Sequence, residues 1–367
     1  MRVLVVNAGS SSLKLTLLGA RDETVAEREL AAPRAVIDAG ELRGALQSGL
    51  GAADVVGHRI VHGGERFREA VLIDDEVESE LRALVDLAPL HQPKSLAALD
   101  AVRAALPDVP AVACFDTAFH ATMSPGARTY ALPAAWRERW QLRRYGFHGL
   151  SHAWVARRAP ELLNRREAGL RIVSCHLGAG ASLCAIADGR SVDTTMGFTP
   201  LEGLVMATRS GSVDPGLLLW LLERGRVCEH ELAHALEYES GLAGLTGTPD
   251  MRQVLAHAAE GDEAAGLALE VYLHRLRAGI GAMAAILDGP DALVFTGGVG
   301  ENSAPVRAWT VAGLGFLGVL VDDELNAGPV GDGDVSTRDA PVRTLVVRAR
   351  EDLEVARQAR AVLARNA

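Results

Sequence analysis

The chain has 367 residues, 49% apolar and 23% charged, the balance of an ordinary globular protein and long enough that two lobes are expected rather than one core. A formal charge of −10 argues against a surface that coats nucleic acid, while leaving room for a local basic site for a small anion. No apolar run reaches the roughly 18 residues of a membrane span, no basic-then-apolar leader opens the chain, and the four cysteines form no C-x-x-C pair, which predicts a cytoplasmic protein with reduced thiols and no membrane partner.

In chain order, residues 2–18 predict a hairpin whose turn, "NAGSSSLK", carries Asn7, Ser10, Ser12 and Lys14. A poorly patterned Ala- and Arg-rich stretch follows to about residue 50, then a strand over 54–64 that runs into a glycine turn. Helical spacing covers 75–88, with acids early, and about 94–106. "VPAVACFDTAFH" (109–120) reads as a strand ending in a polar loop, and "SHAWVARRAPELLNRR" as a helix. "LRIVSCHLGAGASLCAIADGR" reads as a second hairpin. The pattern from 213 to 288 is mostly helical; "DALVFTGGVGENS" is a buried strand entering a glycine-rich loop before a helix, and a last strand and helix close the chain. The class is α/β. "VLVVNAGSSSLKLTLL" and "IVSCHLGAGASLCAIA" share one plan (apolar strand, small-residue turn, Ser-Leu, apolar strand), which predicts a duplication.

Glycine and serine at a tight turn let backbone N–H groups and hydroxyls converge on one anion, although the same residues also make an ordinary hairpin turn. Only two of the 37 basic residues are lysines, and Lys14 sits beside that turn, where it would add a point charge. "FTGGVGENS" (295–303) is placed to offer a helix N-terminus to phosphate, but Ser303 stands where a dinucleotide fingerprint needs its third glycine. No G-x-x-x-x-G-K-[ST] occurs either, so the three glycine-containing turns point to a nucleotide gripped between two lobes. Arg59 and Arg209 lie beside glycine-rich turns and are suited to a carboxylate and a phosphoryl group. Asp116, just after a buried strand, reads equally as a catalytic carboxylate or as a turn cap. His58/His62 and His148/His152 have zinc-like spacing without the H-E-x-x-H glutamate; hydrogen bonding to an anion fits His148 better, and a structural role fits His58.

The blocks "NAGSSSLK", "GHRIVHGGE", "LAPLHQP", "CFDTAFH", "YGFHGLSH", "CHLGAGAS", "TMGFTPLEGLVMATRSG", "DMR" and "FTGGVGENS" occur in the order seen in acetate kinases, and the resemblance runs from the first residue to the C-terminal helix. It implies a two-lobed, duplicated ribonuclease-H-like fold of the actin and sugar-kinase type with the active-site cleft between lobes, and a homodimer. The implied N-terminal lobe is 1–147 plus 355–367 and the nucleotide-binding lobe 148–354. The implied activity is reversible, Mg2+-dependent (Mn2+ as the alternative ion) in-line transfer of the ATP γ-phosphoryl group to acetate, giving acetyl phosphate and ADP. Propionate or another short-chain acid is the alternative acceptor. Carried over by motif, Asn7 and Glu351 would hold the metal, and Ser10, Ser12 and Lys14 would meet ATP phosphates. Arg59 would bind acetate, with Val61, Leu90, Phe147 and Pro200 shaping the pocket for its methyl group. Asp116, His148, Arg209 and Arg59 would be catalytic, with His91 close by. The backbone of His176, Leu177, Gly178, Ala179 and Gly180, of Asp250, Met251 and Arg252, and of Gly298, Val299, Gly300, Glu301 and Asn302 would receive ATP. Two departures stand out: Ala179 replaces the family's asparagine, and Arg350 replaces a small or amide residue. An actin-like binding protein would need neither Arg59 nor an acyl pocket, and a histidine metal hydrolase would require tightly bound zinc.

Overall fold

The apolar runs of the sequence become the central strands of two separate sheets. The structure, a computed structural model, describes residues 1–9, 12–32, 37–88, 92–328 and 331–366. It divides into two compact units, one of residues 1–121, 147–154 and 350–367, the other of 122–146 and 155–349. The division expected from the sequence put 122–146 with the first lobe and 148–154 and 350–354 with the second; by packing, each of these segments sits in the other unit.

The first unit is built on β1 (Val3–Ala8), β2 (Ser12–Leu18), β3 (Thr24–Ala31), β4 (Val55–Ile60), β5 (Val71–Leu72) and β6 (Ala111–Phe115), in the order β3-β2-β1-β4-β6-β5. Strands β1 to β3 form an antiparallel meander, β4 and β6 add on parallel to β1, and β5 closes the edge antiparallel. Both faces are covered, and for that reason β1 is apolar at consecutive positions. Leu4 and Val6 pack with Ala98 and Val102 of the Gln92–Ala105 helix, whereas Val3 and Val5 pack with Val355, Ala356, Ala359 and Val362 of the Glu351–Asn366 helix. At Gly57 of β4 a Cβ would stand 2.6 Å from a methyl of Val355, so the bare backbone there admits the C-terminal helix. One turn earlier on that helix is Glu351, brought to the end of β4.

The second unit repeats the plan with β7 (Arg171–Leu177), β8 (Ala181–Ala187), β9 (Arg190–Thr194), β10 (Ala292–Thr296), β11 (Gly333–Asp334) and β12 (Arg343–Val346). Its order, β11-β12-β10-β7-β8-β9, has the same parallel and antiparallel pairings strand for strand. The match extends to an irregularity. The hairpins close at Ala8↔Leu13 and Leu177↔Ala181; in the first the register of β2 on β3 slips between Leu17 and Leu18, and in the second that of β8 on β9 slips between Ala185 and Ile186. Counted from each hairpin closure, the slip falls after the same residue. Duplication is therefore written in the register as well as in the strand order, and the fold is the expected duplicated α/β one.

Candidate active site

In the first unit four polar side chains meet at the strand ends. Arg59, in β4, donates from Nε to both oxygens of Asp116 at 3.0 and 3.2 Å and from Nη2 to Oδ2 at 2.7 Å. Its Nη1 donates to Asn7 Oδ1 at 3.2 Å and lies 3.1 Å from Glu351 Oε2. The chain positions them simply: Asn7 is the next-to-last residue of β1, Arg59 lies on the neighbouring parallel strand, Asp116 follows β6, and Glu351 opens the C-terminal helix. Asp116 is buried, 2% exposed at its side chain, against 19% for Arg59 and 16% for Glu351. Burial alone would lower the guanidinium pKa, but the charges of Asp116 and Glu351 outweigh it and hold Arg59 above its ordinary value, permanently cationic.

His148 stands beside this cluster in the chain, with a left-handed backbone (φ +56) that non-glycine residues seldom adopt. The cause lies next door. Gly149 donates its N–H to the Asp116 carbonyl at 2.9 Å, and a Cβ there would be 2.1 Å from that oxygen. Phe147 is buried, meets His62 edge to face, and accepts at its carbonyl from His120 Nε2 at 3.0 Å; Val61 is half-buried. Ser12 opens β2, and Lys14 pairs with Glu27 of β3 at 3.0 Å, both half-exposed. Ser10, Leu90 and His91 lie outside the described residues.

The second unit carries the other expected residues. Arg209 donates from Nε to Glu237 Oε1 at 2.7 Å, and its Nη1 reaches the Pro200 carbonyl at 3.5 Å. The β7–β8 turn closes through Gly178 N–H to Gly180 O at 3.0 Å, His176 and Leu177 lie at the end of β7, and the Ala179 carbonyl accepts from Ala207 N–H at 3.0 Å. "GGVGEN" forms the Gly297–Asn302 helix after β10. Glu301 Oε1 accepts from Gly297 N–H and Ala349 N–H, both at 2.9 Å, stapling the glycine loop to the segment after β12. Asp250 caps the Met251–Ala259 helix and binds the Arg252 side chain; this hydrogen-bonded pairing lowers the Asp250 pKa.

Two residues of this unit had no signal of their own in the sequence. Arg307, 1% exposed, donates to the carbonyls of Gly300, Glu301 and Asn326 and to Asn326 Oδ1, fastening the glycine-loop helix from beneath. Glu237 reads as one more acid on an amphipathic helix until its carboxylate is found on Arg209. Of the histidine pairs, His58 is wholly buried, and His62 Nδ1 accepts from Gly64 N–H at 2.9 Å. Among the described residues no three His, Cys, Asp or Glu side chains gather as a metal-binding group. Asn7 Oδ1 and Glu351 Oε2 both lie on Arg59 Nη1, at 3.2 and 3.1 Å, so these two hard oxygens, a donor type that suits Mg2+, are engaged by the guanidinium in this structure.

The sequence profile of the Acetokinase family matches residues 41–357. The acetate kinase of a Synechococcus species is 49% identical over 399 residues, covering 97% of this chain and 98% of that protein. The chain belongs to the acetokinase family. The acetate kinase of Streptomyces coelicolor is 44% identical, covering 99% and 97%. Among solved structures, Porphyromonas gingivalis acetate kinase is similar with a TM-score of 0.91, 34% identity and 99% of both chains covered. A propionate kinase from Francisella tularensis is similar with a TM-score of 0.91, 32% identity and coverage of 98% and 99%. Against the acetokinase pattern the two departures sit differently. Ala179 is exposed at the β7–β8 turn, while Arg350 turns onto Asp352 (Nη2 to Oδ2, 2.8 Å).

Proposed function

We propose that this acetokinase transfers the γ-phosphoryl group of ATP to acetate, reversibly, giving acetyl phosphate and ADP. The observation that supports the reading best is the convergence on Arg59. Two Asp116 oxygens fix the plane of this cation, and an incoming carboxylate would exchange onto the Nη1 edge now held by Asn7 and Glu351. Acetate is ionised near neutral pH, so no strong base is needed to create the nucleophile, and Asp116 serves to orient. Catalysis then reduces to alignment and neutralising charge. His148 in the first unit and Arg209 in the second are assigned to the charge that builds on the moving phosphoryl group. The turns at 176–180, 250–252 and 298–302 are assigned to nucleotide, with Ser10, Ser12 and Lys14 on its phosphates. Val61, Leu90 and Phe147 in the first unit and Pro200 in the second are assigned to the acetate methyl. Asn7 and Glu351 would hold Mg2+, which when bound offsets phosphate charge.

Propionate is the second reading, because a propionate kinase matches this fold as closely as an acetate kinase does. One methylene discriminates by only about 1–3 kcal/mol. The test is kcat/KM for acetate, propionate and butyrate with ATP, GTP and pyrophosphate as donors. Acetate with ATP is expected to lead; no nucleotide-dependent phosphorylation of any of the three acids overturns the reading.

Among the described residues no helix is long and apolar enough to cross a membrane, and three of the four thiols are buried, which supports a cytoplasmic setting. The homodimer is assigned to the Pro215–Glu223 helix, "PGLLLWLLE", which buries no residue within the chain and exposes Leu217, Leu219, Trp220 and Leu222. A helix apolar all round belongs against a partner, here a second copy. Leu219→Asp is expected to halve the mass seen in sedimentation; an unchanged mass removes that assignment.

A further inference from the structure

Glu237 stands where the phosphoryl-transfer reading had no residue. Loop 206–210 is stitched to two helices of the second unit, Glu229–Tyr238 and Gly241–Thr246. Ser210 N–H donates to Leu236 O (3.2 Å), Ser240 N–H to Thr208 O (2.9 Å), Leu242 N–H to Met206 O (2.9 Å) and Thr208 Oγ1 to Glu237 O (2.9 Å). Gly241, at φ +62, makes this approach feasible, since a Cβ there would lie 2.2 Å from the Met206 carbonyl. The backbone on both sides of the pair is thus fixed, and Glu237, 8% exposed, reaches Arg209 from a rigid base.

The contact itself is one-sided. Arg209 gives Nε to Glu237 at 2.7 Å, and Nη1 makes only long contacts, 3.5 Å to the Pro200 carbonyl and 3.9 Å to Met206 Sδ. Nη2 has no hydrogen-bond partner among the described residues, and the side chain is 19% exposed. Arg59 differs: its nitrogens are taken by two carboxylates and an amide. A guanidinium gripped at Nε alone keeps an edge for an incoming anion while losing the rotamer freedom that a long side chain carries.

We propose that Glu237 is a positioning residue for Arg209, holding the Nε edge so that the Nη2 edge is presented to the transferring phosphoryl group. The inference rests on the reading of Arg209 as a charge-stabilising residue. What Glu237 supplies is an oxygen at a set place rather than a negative charge, since a net charge there would oppose the phosphate. Position and charge separate in two substitutions. Glu237→Gln keeps the acceptor oxygen where it is and removes the charge; Glu237→Asp keeps the charge and withdraws the oxygen by one methylene.

The test is steady-state kinetics with acetate and ATP, with thermal unfolding followed in parallel. Glu237→Asp is expected to lower kcat about 10- to 100-fold with each KM within about threefold, the signature of a misplaced group. Glu237→Gln is expected to lose less than about fivefold. Equal losses, or a larger loss in the Gln variant, overturn the proposal, as does wild-type kcat in the Asp variant. A purely structural pair would shift the melting temperature in both and leave kcat of the folded variants near the wild-type value. Arg209→Leu is run beside them: if it retains turnover, the reading of Arg209 falls and takes this inference with it. If it is inactive while the Gln and Asp variants rank the other way, only the role of Glu237 falls.

Discussion

The two halves share one strand order, one set of pairings and one register slip, yet their strand ends carry opposite chemistry. In the first half the ends of β1, β4 and β6 present charged and amide side chains that bind one another: Asn7, Arg59 and Asp116, joined by Glu351. In the second half the ends of β7 and β10 present glycine turns, at Gly178–Gly180 and Gly297–Gly300, the backbone proposed above for the nucleotide. A duplicated sheet delivers the same points in space twice. A short carboxylate offers two oxygens and little area, so it calls for a fixed guanidinium; a polyphosphate offers many oxygens and is served by converging N–H groups. On the proposed reading, the frame would set where ligands go, and the residues just past each strand would set which ligand.

The largest effect is expected from removing the side-chain chemistry of the first half. Arg59→Leu removes the guanidinium that gives the buried Asp116 carboxylate three hydrogen bonds, so it is expected to cost about 3–5 kcal/mol of stability. It should also lower kcat/KM for acetate about 1,000-fold or more. ATP affinity, measured by titration calorimetry, is expected to stay within about threefold. An equal loss for acetate and nucleotide would mean that Arg59 serves both ligands.

The reverse experiment acts on backbone. Gly297 sits at φ +78, and a Cβ there would be 2.8 Å from the Leu177 carbonyl. Gly297→Ala is therefore expected to cost about 1–3 kcal/mol in strain and to weaken ATP roughly 10-fold, since about 1.4 kcal/mol of that strain falling on the nucleotide loop is one decade. Acetate affinity should hold. If acetate weakens as much as ATP, the glycine turns serve the whole molecule rather than the nucleotide.

The central strands were legible because a strand buried on both faces is apolar at consecutive positions, as in β1 (VLVV) and β10 (ALVF), and the duplication was legible in the two hairpins. The third strand of each half was not. β3, "TVAERELA", lies largely exposed, so no alternation marks it. β9 has a local signal in its turn alone: Asp188 and Gly189, both at positive φ, are the Asp-Gly turn of a two-residue hairpin loop. At the site, Arg59 and Asp116 were visible singly from their glycine-turn and strand-end settings, but their pairing joins residues 57 apart and only the sheet supplies it. Glu237 was invisible for the same reason, with nothing local to separate it from a solvated acid.

His58 offers the finest contrast between the halves. It pairs across β1 with Val6 as Phe295 pairs across β7 with Cys175, so one buried position holds an imidazole in the first half and a phenyl ring in the second. Both His58 nitrogens are buried without a hydrogen-bond partner among the described residues, and burial, with the nearby Arg103 charge, pushes its pKa down to about 3. The unfolded chain takes up a proton near pH 6.5 that the folded chain refuses until about pH 3, so stability present above pH 6.5 is lost as pH falls through that window. The slope at this one site approaches about 1.4 kcal/mol per pH unit. His58→Phe gives the first half the residue of the second and removes that proton from the balance, whatever the new ring costs in packing. Urea unfolding at pH 7 and pH 5 is expected to show a smaller acid loss in the variant, by roughly 2 kcal/mol, with turnover at pH 7 unaffected because the imidazole faces the side of β4 away from Arg59. Equal acid sensitivity in the two proteins would mean that the imidazole finds a proton or a partner in the folded state, and that this position does not distinguish the halves.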